Sequence, residues 1–218
     1  TANVGGLPYT YVGTAYVYKR GETAVDWTEN QKLVPSLVGP SMRFGSKIAM
    51  DSNNIVVTAP YFSYIDQNSV THTEGGAIFV YTYDENTGFF GTLSNFSVIP
   101  MEFTETARIT PTSPVSYDWF GSSVDVNGDY IIVSSIQRNA IAASKGEVYI
   151  YKFNGNSWIE LKKLSGHDSV NGDEFGQDVA INDAGWAFVS SMKHDSNKGA
   201  VYIFKKNEGG NDNWGYFQ

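Results

Sequence analysis

With 218 residues, 15% aromatics and a formal charge of 15 − 23 = −8, the chain can bury one sizeable core, and its field repels a phosphate backbone, which disfavours nucleic-acid binding. It has no cysteine, which excludes disulfides, thiolate metal sites and cysteine nucleophiles. No run approaches the length of about 18 apolar residues that a membrane-spanning helix needs, and long Ala/Leu/Glu/Lys windows are missing, so little helix is expected.

The opening Thr1-Ala-Asn-Val-Gly-Gly is neither an initiator Met nor a signal peptide, and the chain reads as processed or truncated. From there the apolar runs are short, rich in Tyr, Val, Ile, Phe and Trp, and separated by turn residues, as strands require. Four strand types recur, named a to d here. Type c comes first, as Gly13-Thr-Ala-Tyr-Val-Tyr18, and type d follows as Trp27-Thr-Glu-Asn-Gln-Lys-Leu33. Type a is Phe44-Gly-Ser-Lys-Ile-Ala-Met50, and type b is Ile55-Val-Val-Thr-Ala-Pro60, which ends in small residues. Type c returns at Gly76-Ala-Ile-Phe-Val-Tyr81, with Phe89-Phe90 in the place of d.

The next unit has Phe120-Gly-Ser-Ser-Val-Asp-Val126, Ile131-Ile-Val-Ser-Ser135, Gly146-Glu-Val-Tyr-Ile-Tyr151 and Trp158-Ile-Glu-Leu-Lys-Lys-Leu164. The last has Phe175-Gly-Gln-Asp-Val-Ala-Ile181, Ala187-Phe-Val-Ser-Ser191, Gly199-Ala-Val-Tyr-Ile-Phe204 and Trp214. From Trp27 and from Trp158 the next Phe-Gly lies 17 residues on, at Phe44 and Phe175. The order c-d, then a-b-c-d three times, predicts an all-β fold, a β-propeller of about three and a half four-stranded antiparallel blades. Residues 1–218 form one propeller segment: an outer half-blade at 1–40 and blades at 41–110, 117–166 and 172–218.

The sequence Phe-Gly … Thr-Ala-Pro … Gly-Ala-Ile-Phe-Val-Tyr resembles the FG-GAP repeat, which builds the seven-bladed propeller of integrin alpha subunits and occurs in many surface proteins. The variant with Trp-x-x-x-x-Lys-Leu before Phe-Gly, lacking calcium loops, is the nearer likeness. The resemblance covers nearly the whole chain and implies a larger propeller with an extracellular or cell-surface location. It is specific for fold and unspecific for function. Three and a half blades leave strand c of the first with an open edge that invites association. A longer chain, a second chain or an unforeseen pairing of the N-terminal segment would each satisfy that edge.

In blade geometry the b–c and d–a connections share one face. The long ones are Tyr61 to Gly75, Ile136 to Lys145, Met192 to Lys198, Met101 to Trp119 and Ser165 to Glu174, so length is expected on that face. Tyr61, Phe62, Tyr64, Tyr117 and Trp119 are the binding candidates there, against the plainer reading that they cover the mouth of the core. Trp27 and Trp158 are expected to pack between outer strands.

No cofactor is expected, and calcium is weakly supported. Asp125, Asn127 and Asp129 offer alternate oxygens, but the turn is too short to wrap a cation that wants six to eight ligands. Asp168, Asn171 and Asp173 are the other weak metal candidates; Asp173 and Asp118, each two residues before Phe-Gly, read more simply as Asx-turns. His72, His167 and His194 fall in polar loops without metal-ligand spacing, and no acidic pair is singled out for acid–base work, so catalysis is not expected. Asn95-Phe-Ser97 is a glycosylation candidate. The leading expectation is a non-catalytic module for protein–protein adhesion or assembly. Carbohydrate binding and a structural subunit that self-associates through an open blade edge are the alternatives.

Overall fold

The computed structural model of the chain describes residues 2–4, 7–21, 25–83, 103–136 and 145–218. An N-terminal hairpin pairs β1 (Ala2–Val4) with β2 (Leu7–Tyr9). Sheet 1 pairs β3 (Ala15–Arg20) with β4 (Trp27–Leu33). Sheet 2 runs β5 (Ile48–Met50), β6 (Asn54–Ala59), β9 (Ala77–Tyr83), β10 (Phe103–Ile109); the b–c loop between β6 and β9 carries a small hairpin of β7 (Tyr64–Ile65) and β8 (Thr71–His72). Sheet 3 runs β11 (Phe120–Asn127), β12 (Tyr130–Ser135), β13 (Glu147–Phe153), β14 (Trp158–Leu164). Sheet 4 runs β15 (Phe175–Ile181), β16 (Trp186–Ser191), β17 (Ala200–Lys206), β18 (Trp214–Tyr216). The four sheets are the blades of a β-propeller, each antiparallel in sequence order.

One strand differs from expectation. The d strand of sheet 2 is β10, not the Phe89-Phe90 segment, which with Asn95 lies outside the described residues. Phe103 pairs with Tyr83 as Trp158 pairs with Phe153 and Trp27 with Arg20. Phe103-Thr-Glu-Thr-Ala-Arg-Ile109 is therefore a third copy of Trp-x-Glu-x-x-Lys-Leu, with Phe, Arg and Ile substituted, and Phe120 again lies 17 residues on. The d–a connection shrinks to residues 110–119, and the residues between β9 and β10, 84–102, lie outside the described residues.

The three cores lie between successive sheets. Each Phe of Phe-Gly is buried edge-on against two aromatic rings of its own strand c. Phe44 meets Phe79 at 5.4 Å and Tyr81 at 6.2 Å; Phe120 meets Tyr149 at 5.4 Å and Tyr151 at 6.1 Å; Phe175 meets Tyr202 at 5.2 Å and Phe204 at 6.4 Å. Tilted and edge-on pairs at these distances suit the ring quadrupoles. These rings face the preceding sheet, whose aliphatic side chains close the core: Val56, Ile78 and Val80 against the Phe120 group, Ile132, Val148 and Ile150 against the Phe175 group.

The glycine opening strand c sets how closely sheets approach. Gly13, Gly76 and Gly146 have φ of +86°, +80° and +85°, and a Cβ there would stand 1.9, 2.1 and 1.9 Å from the carbonyl oxygens of Phe44, Phe120 and Phe175. Only glycine tolerates both the backbone angle and the contact.

Polar ties reinforce the stacking. Gly128 N donates to Asp51 Oδ2 at 2.8 Å, Ile181 N to Asp125 Oδ2 at 2.8 Å, and Ser123 Oγ to Asp178 Oδ1 at 2.8 Å. In sheets 2 and 3 the Glu of the Trp/Phe-x-Glu triplet also reaches the d–a loop of the sheet before. Glu105 accepts from Ser36 N at 2.7 Å and from the Ser36 hydroxyl at 2.5 Å; Glu160 accepts from Thr112 N at 3.1 Å and Thr112 Oγ1 at 2.8 Å.

Candidate functional site

The b–c and d–a loops meet as a backbone latch between sheets. Ser41, Arg43 and Phe44 donate their N–H groups to the carbonyls of Thr10, Tyr11 and Val12; Tyr117, Trp119 and Phe120 donate to Thr73, Glu74 and Gly75, all between 2.7 and 3.2 Å. The latch bends the backbone into left-handed conformations. Arg43, Trp119 and Glu174, each just before Phe-Gly, have φ of +52°, +53° and +55°, and Tyr11 and Glu74 on the acceptor side have +57° and +47°. Non-glycine residues in that region are uncommon and cluster at turns and functional sites.

Side chains from this latch form a ladder of rings and charge. The Tyr61 and Trp119 rings lie 4.9 Å apart, the Arg43 guanidinium sits 4.2 Å over the Tyr61 ring, and Trp119 Nε1 donates to Glu74 Oε2 at 2.9 Å. An arginine over an aromatic face gains from the ring quadrupole. Tyr61 and Trp119 are half-buried, while Tyr117 and Tyr11 stand exposed beside them. Arg43, Glu74 and Tyr11 were not among the expected site residues. Their only sequence signal is that they sit at fixed offsets from Phe-Gly and from the strand-c glycine.

Phe62 corrects an expectation. It is 2% exposed and belongs to the first core, 6.1 Å from Phe79 and stacked on Tyr64 at 5.9 Å. Successive residues of an extended chain face opposite sides, and Phe62 is buried where the preceding Tyr61 is only half-buried. Tyr64 is half-buried and tilts over His72 at 5.2 Å; burial pushes its hydroxyl up to about 12. It lines a cleft of about 470 Å³ with Asp66, Arg108 and Thr110, apart from the Tyr61–Trp119 ladder. His72 is buried 3.1 Å from Asp66, which also accepts from the Asn68 and Val70 amides and so closes the β7–β8 turn.

The acidic loop of sheet 4 is a packed turn. Asp173 Oδ2 accepts from Val170 N at 2.9 Å, as Asp118 Oδ2 accepts from Val115 N at 2.8 Å, and it lies 2.9 Å from His194 Nδ1. Asp168 accepts from the Tyr202 hydroxyl at 2.6 Å and lies 3.6 Å from both His167 and His194; Asn171 is exposed on the turn. The Tyr202 hydrogen bond, aided by the two imidazoles, holds the Asp168 carboxyl below its ordinary range. Burial pushes Asp173 up, but the Val170 amide and His194 outweigh it and the net shift is downward; His194 is raised, chiefly by its bond to Asp173. Asp125, the other calcium candidate, gives one carboxylate oxygen to Val126 N and the other to Ile181 N. Among the described residues, no three His, Asp or Glu side chains converge to hold a metal ion.

On the opposite face, Trp158 is half-buried, 5.3 Å from Phe153, and lines a cleft of about 570 Å³ with Asn53, Asn54, Thr106 and Asp129. Trp27, by contrast, is 60% exposed, because sheet 1 contains only β3 and β4 among the described residues. No helix among the described residues is long and apolar enough to cross a membrane.

No individual curated protein matches the chain. The FG-GAP repeat matches it in three segments, residues 27–81, 103–151 and 158–204, which together make up more than half its length. Each segment begins at the first residue of a d strand and ends within or at the close of a strand c, the stretch that the repeated Trp/Phe-x-Glu, Phe-Gly and Gly-x-x-aromatic motifs occupy. The chain belongs to the FG-GAP repeat family.

Proposed function

We propose that this chain is a non-catalytic propeller module, extracellular or on the cell surface, that binds a protein partner through the face of the b–c and d–a loops. The observation that carries the reading is the Arg43–Tyr61–Trp119 ladder, flanked by exposed Tyr11 and Tyr117 on a hydrogen-bonded backbone. Tyr, Trp and Arg are the residues that dominate binding energy at protein interfaces, and pre-ordering them lowers the entropy lost on binding. FG-GAP propellers often serve protein interactions, which supports the same reading. Pull-down from surface-protein extracts with the parent chain and with Tyr61→Ala plus Trp119→Ala tests it. Loss of a specific partner in the double variant is expected; equal recovery with both refutes the loop face as the contact.

A second reading, saccharide binding, rests on the Trp158 cleft of the opposite face, which Asn53 and Asn54 line together with Trp158. A glycan array separates the two: saturable binding that Trp158→Ala abolishes supports the saccharide site.

A further inference from the structure

On the loop face, the residue just before each Phe-Gly faces the start of a b–c loop. Ala59 and Ser191 are register equivalents at the ends of β6 and β16, since they pair with Ala77 and Ala200 at the start of strand c. Tyr61 and Lys193, each two residues further on, therefore hold one position, as Arg43 and Glu174 hold another. In sheet 4 the two positions neutralise each other, with Lys193 Nζ 2.7 Å from Glu174 Oε1. In sheet 2 the charge stays open. The Arg43 guanidinium sits 4.2 Å over the Tyr61 ring and makes no ion pair among the described residues. Glu74, the ladder's own carboxylate, accepts instead from Trp119 Nε1 at 2.9 Å.

The base of Arg43 is also held still. Arg43 N donates to Tyr11 O at 3.0 Å, and Arg43 O accepts from Ser46 N at 3.2 Å and from the Ser46 hydroxyl at 2.7 Å. The backbone is thus pinned on both sides of an exposed side chain. Stacking on a ring occupies one face of the guanidinium plane and leaves its edge, where the N–H donors point, to solvent. A planar fork of donors matches a carboxylate in two parallel hydrogen bonds, and pre-ordering the fork reduces the entropy lost when they form. The chain's charge of −8 does not oppose this, because exposed charges are screened beyond about 8 Å at physiological ionic strength.

We propose that Arg43 is the receptor for a carboxylate of the protein partner: an Asp or Glu side chain that docks against the guanidinium edge while its flanking residues cover the Tyr61 and Trp119 rings. The proposal rests on the loop-face reading and adds the chemistry of the partner to it. The matching position of sheet 4 takes no such group, because Lys193 already closes the charge of Glu174.

Nuclear magnetic resonance of the isotope-labelled full chain tests it. The probes are the peptide Gly-Pro-Glu-Pro-Gly, capped at both ends, and the same peptide with Gln in place of Glu. The Glu peptide is expected to shift the Arg43 Nε–H and Trp119 Nε1–H resonances along one saturable curve. The Gln peptide is expected to bind about tenfold more weakly or worse, since charge-assisted hydrogen bonds become neutral ones. Arg43→Lys keeps the charge but loses the fork and the flat stack. It is expected to weaken the Glu peptide by a similar factor, with the rest of the spectrum, and so the fold, unchanged. No saturable response, equal affinity for the two peptides, saturation that leaves Arg43 unmoved, or an Arg43→Lys variant that binds as the parent does overturns the proposal. Arg43→Gln in the pull-down separates this from the loop-face reading. A partner that Arg43→Gln keeps but Tyr61→Ala plus Trp119→Ala loses leaves the loop face standing and refutes the carboxylate; a partner that both variants keep refutes the face itself.

Discussion

The strand-c glycines allow the sheet-stacking account to be tested quantitatively by comparing Gly146→Ala with Gly199→Ala. Both positions have positive φ, +85° and +79°, so alanine costs about 1–2 kcal/mol at either from backbone strain. Only at Gly146 does the new methyl collide with backbone, 1.9 Å from Phe175 O. Relieving the clash to beyond 3.0 Å pulls apart the Phe175 N to Lys145 O hydrogen bond of 2.8 Å. A buried amide left without its partner costs about 1–3 kcal/mol more. Gly146→Ala should therefore destabilise the fold by about 2–5 kcal/mol in sum, against about 1–2 kcal/mol for Gly199→Ala. Urea denaturation at high dilution reads this as a larger drop in midpoint at unchanged slope. Thermal melts give about 2–4 °C per kcal/mol for a chain of this size. Equal losses in the two variants would refute the claim that close contact between sheets, rather than local conformation, selects glycine.

Glu160→Ala removes the acceptor for the solvent-exposed Thr112 N and Oγ1, and a loss of about 0.5–1.5 kcal/mol is expected in the same denaturation assay; Glu160→Gln should recover part of it. The His194–Asp173–Asp168 group gives a pH signature with two limbs. Raised His194 contributes stability that is complete below the unfolded histidine value of about 6.5 and is lost as pH rises through its folded value. Lowered Asp168 and Asp173 contribute stability that is present above about 3.9 and lost as pH falls through their folded values. The group's contribution should therefore peak between about pH 4 and 6.5. Melting temperature against pH in the parent and in His194→Ala checks this: the variant's curve should flatten above pH 6.5, and an unchanged alkaline limb would contradict the geometry.

The blade order was legible because short strands with fixed offsets leave their mark on the sequence. Phe-Gly, Gly-x-x-aromatic and the 17-residue step from Trp to Phe were all readable. The d strand of sheet 2 was missed because Phe103, Arg108 and Ile109 replace the expected Trp, Lys and Leu, although the 17-residue step to Phe120 pointed to it. The site was less legible. Tyr61 and Trp119 are 58 residues apart in sequence, and only the stacking of sheets 2 and 3 brings their rings together. Phe62 looked equivalent to its neighbours, because nothing local says which side of a loop strand faces the core. Asp125, whose turn is too short to wrap a cation, is drawn instead to the Ile181 amide by the next sheet, a partner that sequence spacing does not reveal.

The left-handed posts before each Phe-Gly have a consequence for how such a protein can diversify. Arg43, Trp119 and Glu174 differ in size, shape and charge, yet their backbones coincide within a few degrees of φ. Their side chains are all presented toward b–c loop residues: Arg43 and Trp119 to Tyr61, Glu174 to Lys193. The scaffold has decoupled the chemistry on show from the architecture that shows it. A new binding preference could therefore arise by exchanging one residue per blade, with the strands beneath left untouched.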